Sequence, residues 1–163
     1  MKGFRSLLCV LVSGLAVVGG AQASSAGGGH GHDHGCQKIH ATGVGQDLGG
    51  GNTTATIRHG GPLNGTTSGH FVTAGAPPVF AISGTVTFTT KHGTIVATVT
   101  GTFDVTTGAF TASGPLSGGT GKLAGATGAL RLTGVENLST GAFTETITGM
   151  ICLAHDDHDW GDD

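Results

Sequence analysis

Hydrophobic and polar side chains alternate one by one along much of this chain. In residues 143–151, mainly apolar side chains occupy every second position and Thr occupies most positions between them. A period of two is typical of a β-strand with one buried face, because successive side chains point to opposite faces. The pattern recurs in residues 80–89, 94–104, 108–116 and 129–135, and no helical period of 3.6 residues competes with it.

Eight strands are predicted in total. The first three candidates are Gln37 to Asp47, Asn52 to His59 and Asn64 to Thr73, and the alternation in the third is ambiguous. The fourth follows Pro77-Pro78. Eight short strands with a turn about every 8–12 residues indicate a barrel or a sandwich.

One hairpin corner occurs twice. Residues 106–111 (TTGAFT) match residues 139–144 (STGAFT), 33 positions further along the chain. Each Gly can adopt the positive φ that a hairpin corner commonly needs, and the Phe after it is the first inward residue of the returning strand. We interpret the match as a repeated hairpin, because two copies are too few for a solenoid.

Glycines recur in the middle of the predicted strands, always on the apolar face. Glycine weakens a strand, so this placement needs a reason. Inward glycines let strands bend enough to close a barrel, which is the interpretation we favour. They would also leave room inside for a ligand. The five positions are Gly84, Gly101, Gly114, Gly134 and Gly149.

The turn before the seventh strand carries a resemblance to a known family. Residues 118–128, GGTGKLAGATG, resemble the GGTGxF-x-GA-x-G turn of the allene oxide cyclase-like barrel family, and plant dirigent proteins have a related turn. The resemblance covers roughly residues 36–153, and its specific part is this turn with its flanking strands. It implies an all-β fold, a single eight-stranded antiparallel closed barrel of the calycin type with a central cavity. The inward positions predicted to line that cavity are Phe80, Ile82, Val86, Phe88, Val99, Phe103, Phe110, Leu130, Leu132, Phe143 and Ile147.

The N-terminus has the features of a secretory signal peptide. Two basic residues precede an apolar run from Leu7 to Val18, and Ala21-Gln22-Ala23 is a small-x-small cleavage site. The run is shorter than the roughly 20 residues of a membrane-spanning helix. We therefore predict a secreted or periplasmic protein with no membrane insertion after cleavage. The predicted divisions are a signal peptide (1–23), a flexible leader (24–35), the barrel (36–153) and an acidic, His-rich tail (154–163).

Charge and cysteine content narrow the picture further. Seven Lys and Arg face ten Asp and Glu, and five of the acids lie after residue 154, so no basic patch for nucleic acid is expected. A homo-oligomer is compatible with this composition.

Cys36 and Cys152 bracket the predicted barrel. In an oxidising compartment such a pair predicts a disulfide, since the first and last strands of a closed barrel are neighbours; two unpaired buried thiols are the alternative.

Two groups of side chains could carry chemistry. Glu145 shares a face with Phe143 and Ile147, so the alternation points it into the cavity, where its pKa would be raised and it could act as an acid or base. Its position near the start of the strand favours the alternative of a solvated carboxylate at the rim. The second group consists of histidines near the two ends of the chain. Together with neighbouring Asp residues, they could bind Zn²⁺ or Cu²⁺. The alternative is that both ends are disordered, solvated segments. These histidines are His30, His32, His34, His155 and His158.

The predicted function is binding of a small apolar ligand or a partner by an exported, non-enzymatic barrel. The alternative, implied by the resemblance, is an isomerase or cyclase acting in the cavity. Such a barrel shapes a reactive substrate and excludes water, so it needs few catalytic groups. Neither function requires a cofactor, and metal binding by the termini is a third hypothesis.

Overall fold

Eight antiparallel strands close into one barrel in the computed structural model of the protein, which describes residues 35–154. The strands follow chain order around the barrel, and the first pairs with the last. The predicted all-β closed barrel is confirmed, and the sandwich alternative is excluded. The strands are β1 (Gly35–Gly49), β2 (Asn52–Arg58), β3 (Gly65–Ala74), β4 (Val79–Thr90), β5 (Gly93–Asp104), β6 (Ala109–Ser117), β7 (Thr127–Glu136) and β8 (Ala142–Leu153).

One end of the barrel, called here the closed end, carries the connections β2–β3, β4–β5 and β6–β7. Two of these connections contain single-turn 3-10 helices, Gly61–Leu63 and Gly121–Leu123. Each of these turns buries one leucine, with Leu63 0% and Leu123 1% exposed. The first turn contacts β1, β2 and β4, and the second contacts β5. Together they cover the interior with apolar side chains.

The opposite end, called here the open end, carries the connections β1–β2, β3–β4, β5–β6 and β7–β8. Short turns make up these connections, and none of them contains a helical turn. In the repeated hairpin corners, Gly108 and Gly141 have φ values of 73° and 71°. The predicted positive φ at both corners is confirmed.

A disulfide joins Cys36 on β1 to Cys152 on β8, with an S–S distance of 2.07 Å. The two cysteines are direct partners in the β1–β8 register, at the closed end of the barrel. The predicted pairing is confirmed, and the alternative of two free thiols is wrong. Because the bond spans 116 residues of chain, it removes a large loop-closure entropy from the unfolded state, about 4–5 kcal/mol in the chain-entropy model.

Four of the five glycines predicted on the inward face are half-buried, and Gly149 is exposed. At each of the five predicted positions, a Cβ atom would collide with a backbone atom of the adjacent strand. Any other residue would therefore force the strands apart. This observation supports the interpretation that these glycines allow the sheet to bend and close.

The predicted signal peptide, leader and His-rich tail lie outside the described residues. Within residues 35–154, no helix is long and apolar enough to cross a membrane.

Candidate functional site

A cavity of about 220 Å³ occupies the open end of the barrel interior. Most of the side chains around it are apolar, and four of them are phenylalanines. Its lining residues are Asp47, Gly51, Thr53, Thr67, Phe71, Thr73, Ile82, Val86, Phe103, Phe110, Ala112, Leu132, Glu136, Phe143 and Glu145.

The repeated hairpin builds one side of this cavity. Phe110 and Phe143 occupy equivalent positions in the two copies, and their rings meet edge to face with centroids 5.8 Å apart and an interplanar angle of 88°. Such an arrangement sets the positive edge of one ring against the negative face of the other, which adds to the stabilisation from burial.

Glycines on the adjacent, hydrogen-bonded strands make room for these two rings. A Cβ atom on Gly134 would lie 2.8 Å from Cε1 of Phe110, and one on Gly45 would lie 2.7 Å from Cε2 of Phe143. Both contacts are shorter than van der Waals packing allows. The ring positions therefore depend on glycine in β7 and β1.

Glu145 lies on β8, one inward position deeper than Phe143, and is only 8% exposed. Its register partners are Gly43 on β1 and Gly134 on β7, so no side chain stands beside it in either neighbouring strand. A Cβ on Gly43 would lie 2.6 Å from the Oε1 atom of Glu145. The carboxyl group therefore fills a space that exists because its neighbours are glycines.

Burial raises the pKa of Glu145 to about 7, because the apolar surroundings disfavour the charged form. No hydrogen-bond donor of residues 35–154 contacts the carboxyl group. Within the described residues, every fully buried side-chain oxygen has a hydrogen-bond partner. The oxygens of Glu145 have none among these residues, so they must be accessible from the cavity. The expectation that Glu145 faces inward agrees with this placement, whereas the solvated-rim alternative is wrong.

Two further carboxylates, Asp47 and Glu136, lie at the mouth of the cavity. The backbone N–H of Asp47 donates to the carbonyl of Gly141 at 2.8 Å, and that of Glu136 donates to the carbonyl of Gly108 at 2.9 Å. Each of the two Thr-Gly corners of the repeat thus accepts a hydrogen bond from the backbone of one of these acidic residues. The pKa of Glu136 is raised, first by desolvation and then by the negative charge of Asp47. In the described part of the chain, no Lys, Arg or His lines the cavity.

Six of the eleven residues predicted to line the cavity do so: Ile82, Val86, Phe103, Phe110, Leu132 and Phe143. The prediction needs correction for the other five. Phe88, Val99, Leu130 and Ile147 point inward but pack in the solid core towards the closed end, where they are 0–2% exposed. Phe80 is half-buried and lies outside the lining.

The polar part of the lining and one ring were not predicted from the sequence. Thr53, Thr67, Thr73 and Phe71 come from β2 and β3, where inward positions are small or polar and the alternation is weak. The acids at the mouth were missed because carboxylates beside turns are usually solvated. One signal was available: both acids continue the series of alternate positions that point inward, Asp47 in β1 and Glu136 in β7.

The histidines predicted to bind metal, His30, His32, His34, His155 and His158, lie outside the described residues. Among residues 35–154, no three His, Cys, Asp or Glu side chains are grouped to hold a metal ion.

Comparison of the sequence with models of known protein families and with curated proteins finds no match.

Proposed function

We propose that this protein is an exported barrel that binds one small, predominantly apolar molecule in the open-end cavity. The observation that carries the proposal is a cavity of about 220 Å³ with mostly apolar walls, in which two of the aromatic rings pack against glycines of neighbouring strands. Ligand sites are concave, mostly apolar and furnished with a few polar groups. An enclosing disulfide is consistent with an oxidising compartment and hence with export.

The cavity volume limits the size of the ligand. A cavity of about 150 Å³ in a protein core holds benzene. A site of about 220 Å³ is somewhat larger, so it suits a molecule with a single ring or an equivalent short chain. A long fatty acid would extend beyond the mouth.

Filling the cavity tests the proposal. Ala112 is 4% exposed and lines the cavity, whereas Ala109 on the same strand is exposed outside it. Ethylbenzene should bind the wild type in calorimetry or ligand-observed NMR. Ala112→Leu should weaken that binding by about tenfold or more, because the added carbons occupy the space of the ligand. Ala109→Leu should leave it unchanged. If no single-ring molecule of this size, with or without a polar group, binds the wild type at millimolar concentration, the proposal is wrong.

An isomerase or cyclase acting in the same cavity is the second candidate. It is favoured by Glu145, since a carboxyl group with a pKa of about 7 can both donate and accept a proton near neutral pH. The turn at residues 118–128 that resembles the allene oxide cyclase-like family supports the same reaction class. In a turnover assay with a reactive, flexible substrate, Glu145→Gln should abolish most of the activity. Unchanged turnover would remove Glu145 as the acid or base.

A further inference from the structure

The charged side chains that line the cavity within residues 35–154 are all of one sign. They are three carboxylates, Asp47 from β1, Glu136 from β7 and Glu145 from β8. Glu145 is more than nine-tenths buried and faces the cavity without a hydrogen-bond partner among the described residues. Buried carboxylates are normally paired or hydrogen-bonded, so this group lacks a partner that a ligand could supply.

The aromatic side chains favour the same kind of ligand. Phe71, Phe103, Phe110 and Phe143 line the cavity from four different strands. Such rings offer a large apolar surface against which the body of a ligand can pack. A carboxylate together with several rings complements a cation bearing an apolar body.

We propose that the open-end cavity selects small organic ammonium ions, with the ammonium group against Glu145 and the apolar body among the four phenylalanines. This inference rests on the proposed binding function and specifies its ligand class. Transfer of an ammonium group out of water is unfavourable, but the group gains a charge-assisted hydrogen bond to a carboxylate that is already desolvated. A ligand that carries a carboxylate meets three like charges and is rejected.

Four probes with one ring and nearly the same shape test the selection: 2-phenylethylamine, 2-phenylethanol, 3-phenylpropanoate and ethylbenzene. At pH 8, calorimetry should show the amine binding about tenfold or more tightly than the alcohol or the hydrocarbon, because its hydrogen bond is charge-assisted. The carboxylate should bind most weakly. If the alcohol or the carboxylate binds as tightly as the amine, the selection for ammonium is overturned while the proposed binding function stands. If none of the four binds, both proposals are wrong.

Variants assign the effect to one carboxylate. Glu145→Gln should weaken binding of the amine by about tenfold and should change binding of ethylbenzene by much less. Glu136→Gln is the matched control at the mouth of the cavity. It should weaken binding of the amine by less than about fivefold, because solvent screens the interaction between the ammonium group and the Glu136 carboxylate. Equal affinity of the amine for wild type and Glu145→Gln would overturn the assignment.

The pH dependence separates charge pairing from apolar binding. Besides Glu145, the titratable groups of residues 35–154 that line the cavity are Asp47 and Glu136, both acids. An alkylammonium ion stays charged up to a pH of about 10, like that of lysine. Binding of the amine should therefore weaken as pH falls from 8 to 5.5 and Glu145 takes up a proton, while binding of ethylbenzene stays constant. An amine affinity that does not change over this range would overturn the proposal.

Discussion

The two ends of this barrel use the same eight strands but finish the interior differently. At the closed end, Leu63 and Leu123 project inward from 3-10 turns and complete a core in which Phe88, Ile95 and Ile151 are fully buried. At the open end the strands are joined by short turns, and no side chain of these turns is among the described residues that line the cavity there. The connections, more than the strands, decide which end is solid.

Polar contacts at the open end lie within its turns. At the open end Asp104 accepts hydrogen bonds from the backbone of Thr106 at 2.8 Å and from its hydroxyl at 2.6 Å, all within an exposed turn. These bonds lower the pKa of Asp104. The hydrogen bonds fix the shape of the turn locally and leave the interior free. Stability can therefore reside at the closed end while the open end keeps an unpartnered carboxylate and empty space.

The largest expected effect comes from matched truncations at the two ends. Leu123→Ala at the closed end should lower the free energy of unfolding by about 3–4 kcal/mol, because it leaves a new void in a solid core. Leu132→Ala on β7 removes the same atoms beside the existing cavity, where no new closed void forms. Its loss should be nearer about 2 kcal/mol.

Urea denaturation of both variants and the wild type measures this difference. Far-ultraviolet circular dichroism of the folded proteins provides the control that both remain barrels. A loss at Leu132 equal to or larger than that at Leu123 would contradict the division into a solid and an open end.

The second prediction concerns the stability of the open end as a function of pH. The pKa of Glu145 in the folded protein is about 7, above its ordinary value of 4.5. The folded state therefore binds the proton more tightly than the unfolded state, and stability falls as pH rises between these two values. Below the lower value the group has no effect, and above the higher one the penalty is complete, about 3 kcal/mol.

Glu145→Gln removes this penalty because the amide stays neutral at every pH. The variant should match the wild type at pH 4 and exceed its unfolding free energy by about 3 kcal/mol at pH 8.5. Urea denaturation at a series of pH values measures the difference, and other carboxylates cancel because both proteins share them. A constant difference between the two proteins across this range would show that the carboxyl group of Glu145 is solvated.

The contrast between the ends also explains what the sequence could predict. From β4 to β8 the inward face consists mainly of large apolar residues, so strand positions and the inward direction of Glu145 follow from alternation alone. In β1 and β3 the inward face includes Gly43, Gly45, Thr67 and Gly69, and the period of two is hidden. The buried state of Glu145 could not be predicted, because it depends on glycines of two other strands that face it only in the closed barrel.

The solid end was hidden for a different reason. Leu63 and Leu123 are single leucines inside glycine-containing turns, so no periodicity marks them as core residues. Turn residues are usually exposed, and a lone large apolar side chain in a turn is the only signal that it reaches back into the interior. Local pattern thus predicted the wall of the barrel and missed the side chains that cover one end.

The smallest expected effect compares one asparagine at each end. The Oδ1 atom of Asn64, at the closed end, accepts one bond from the backbone N–H of Gly60 at 2.7 Å. The Oδ1 atom of Asn137, at the open end, accepts two, from the N–H groups of Ser139 at 3.0 Å and Thr140 at 3.2 Å. A count of bonds predicts the larger loss at Asn137. Burial predicts the reverse, because Gly60 is buried and the turn around Asn137 is exposed.

We expect the loss of stability to follow burial and not the number of hydrogen bonds. Asn64→Ala leaves the N–H of Gly60 without a partner beside the buried Leu63 and should lower the free energy of unfolding by about 1–2 kcal/mol. In Asn137→Ala, water can replace the lost acceptor for the exposed N–H of Ser139, and the N–H of Thr140 keeps its bond to the backbone carbonyl of residue 137 at 3.1 Å. The loss should therefore be less than about 1 kcal/mol. Amide hydrogen exchange gives an independent measurement, since only Asn64→Ala should speed exchange at Gly60 and Leu63. A larger loss of stability for Asn137→Ala would mean that the turns of the open end, and not the covered closed end, limit the stability of the barrel.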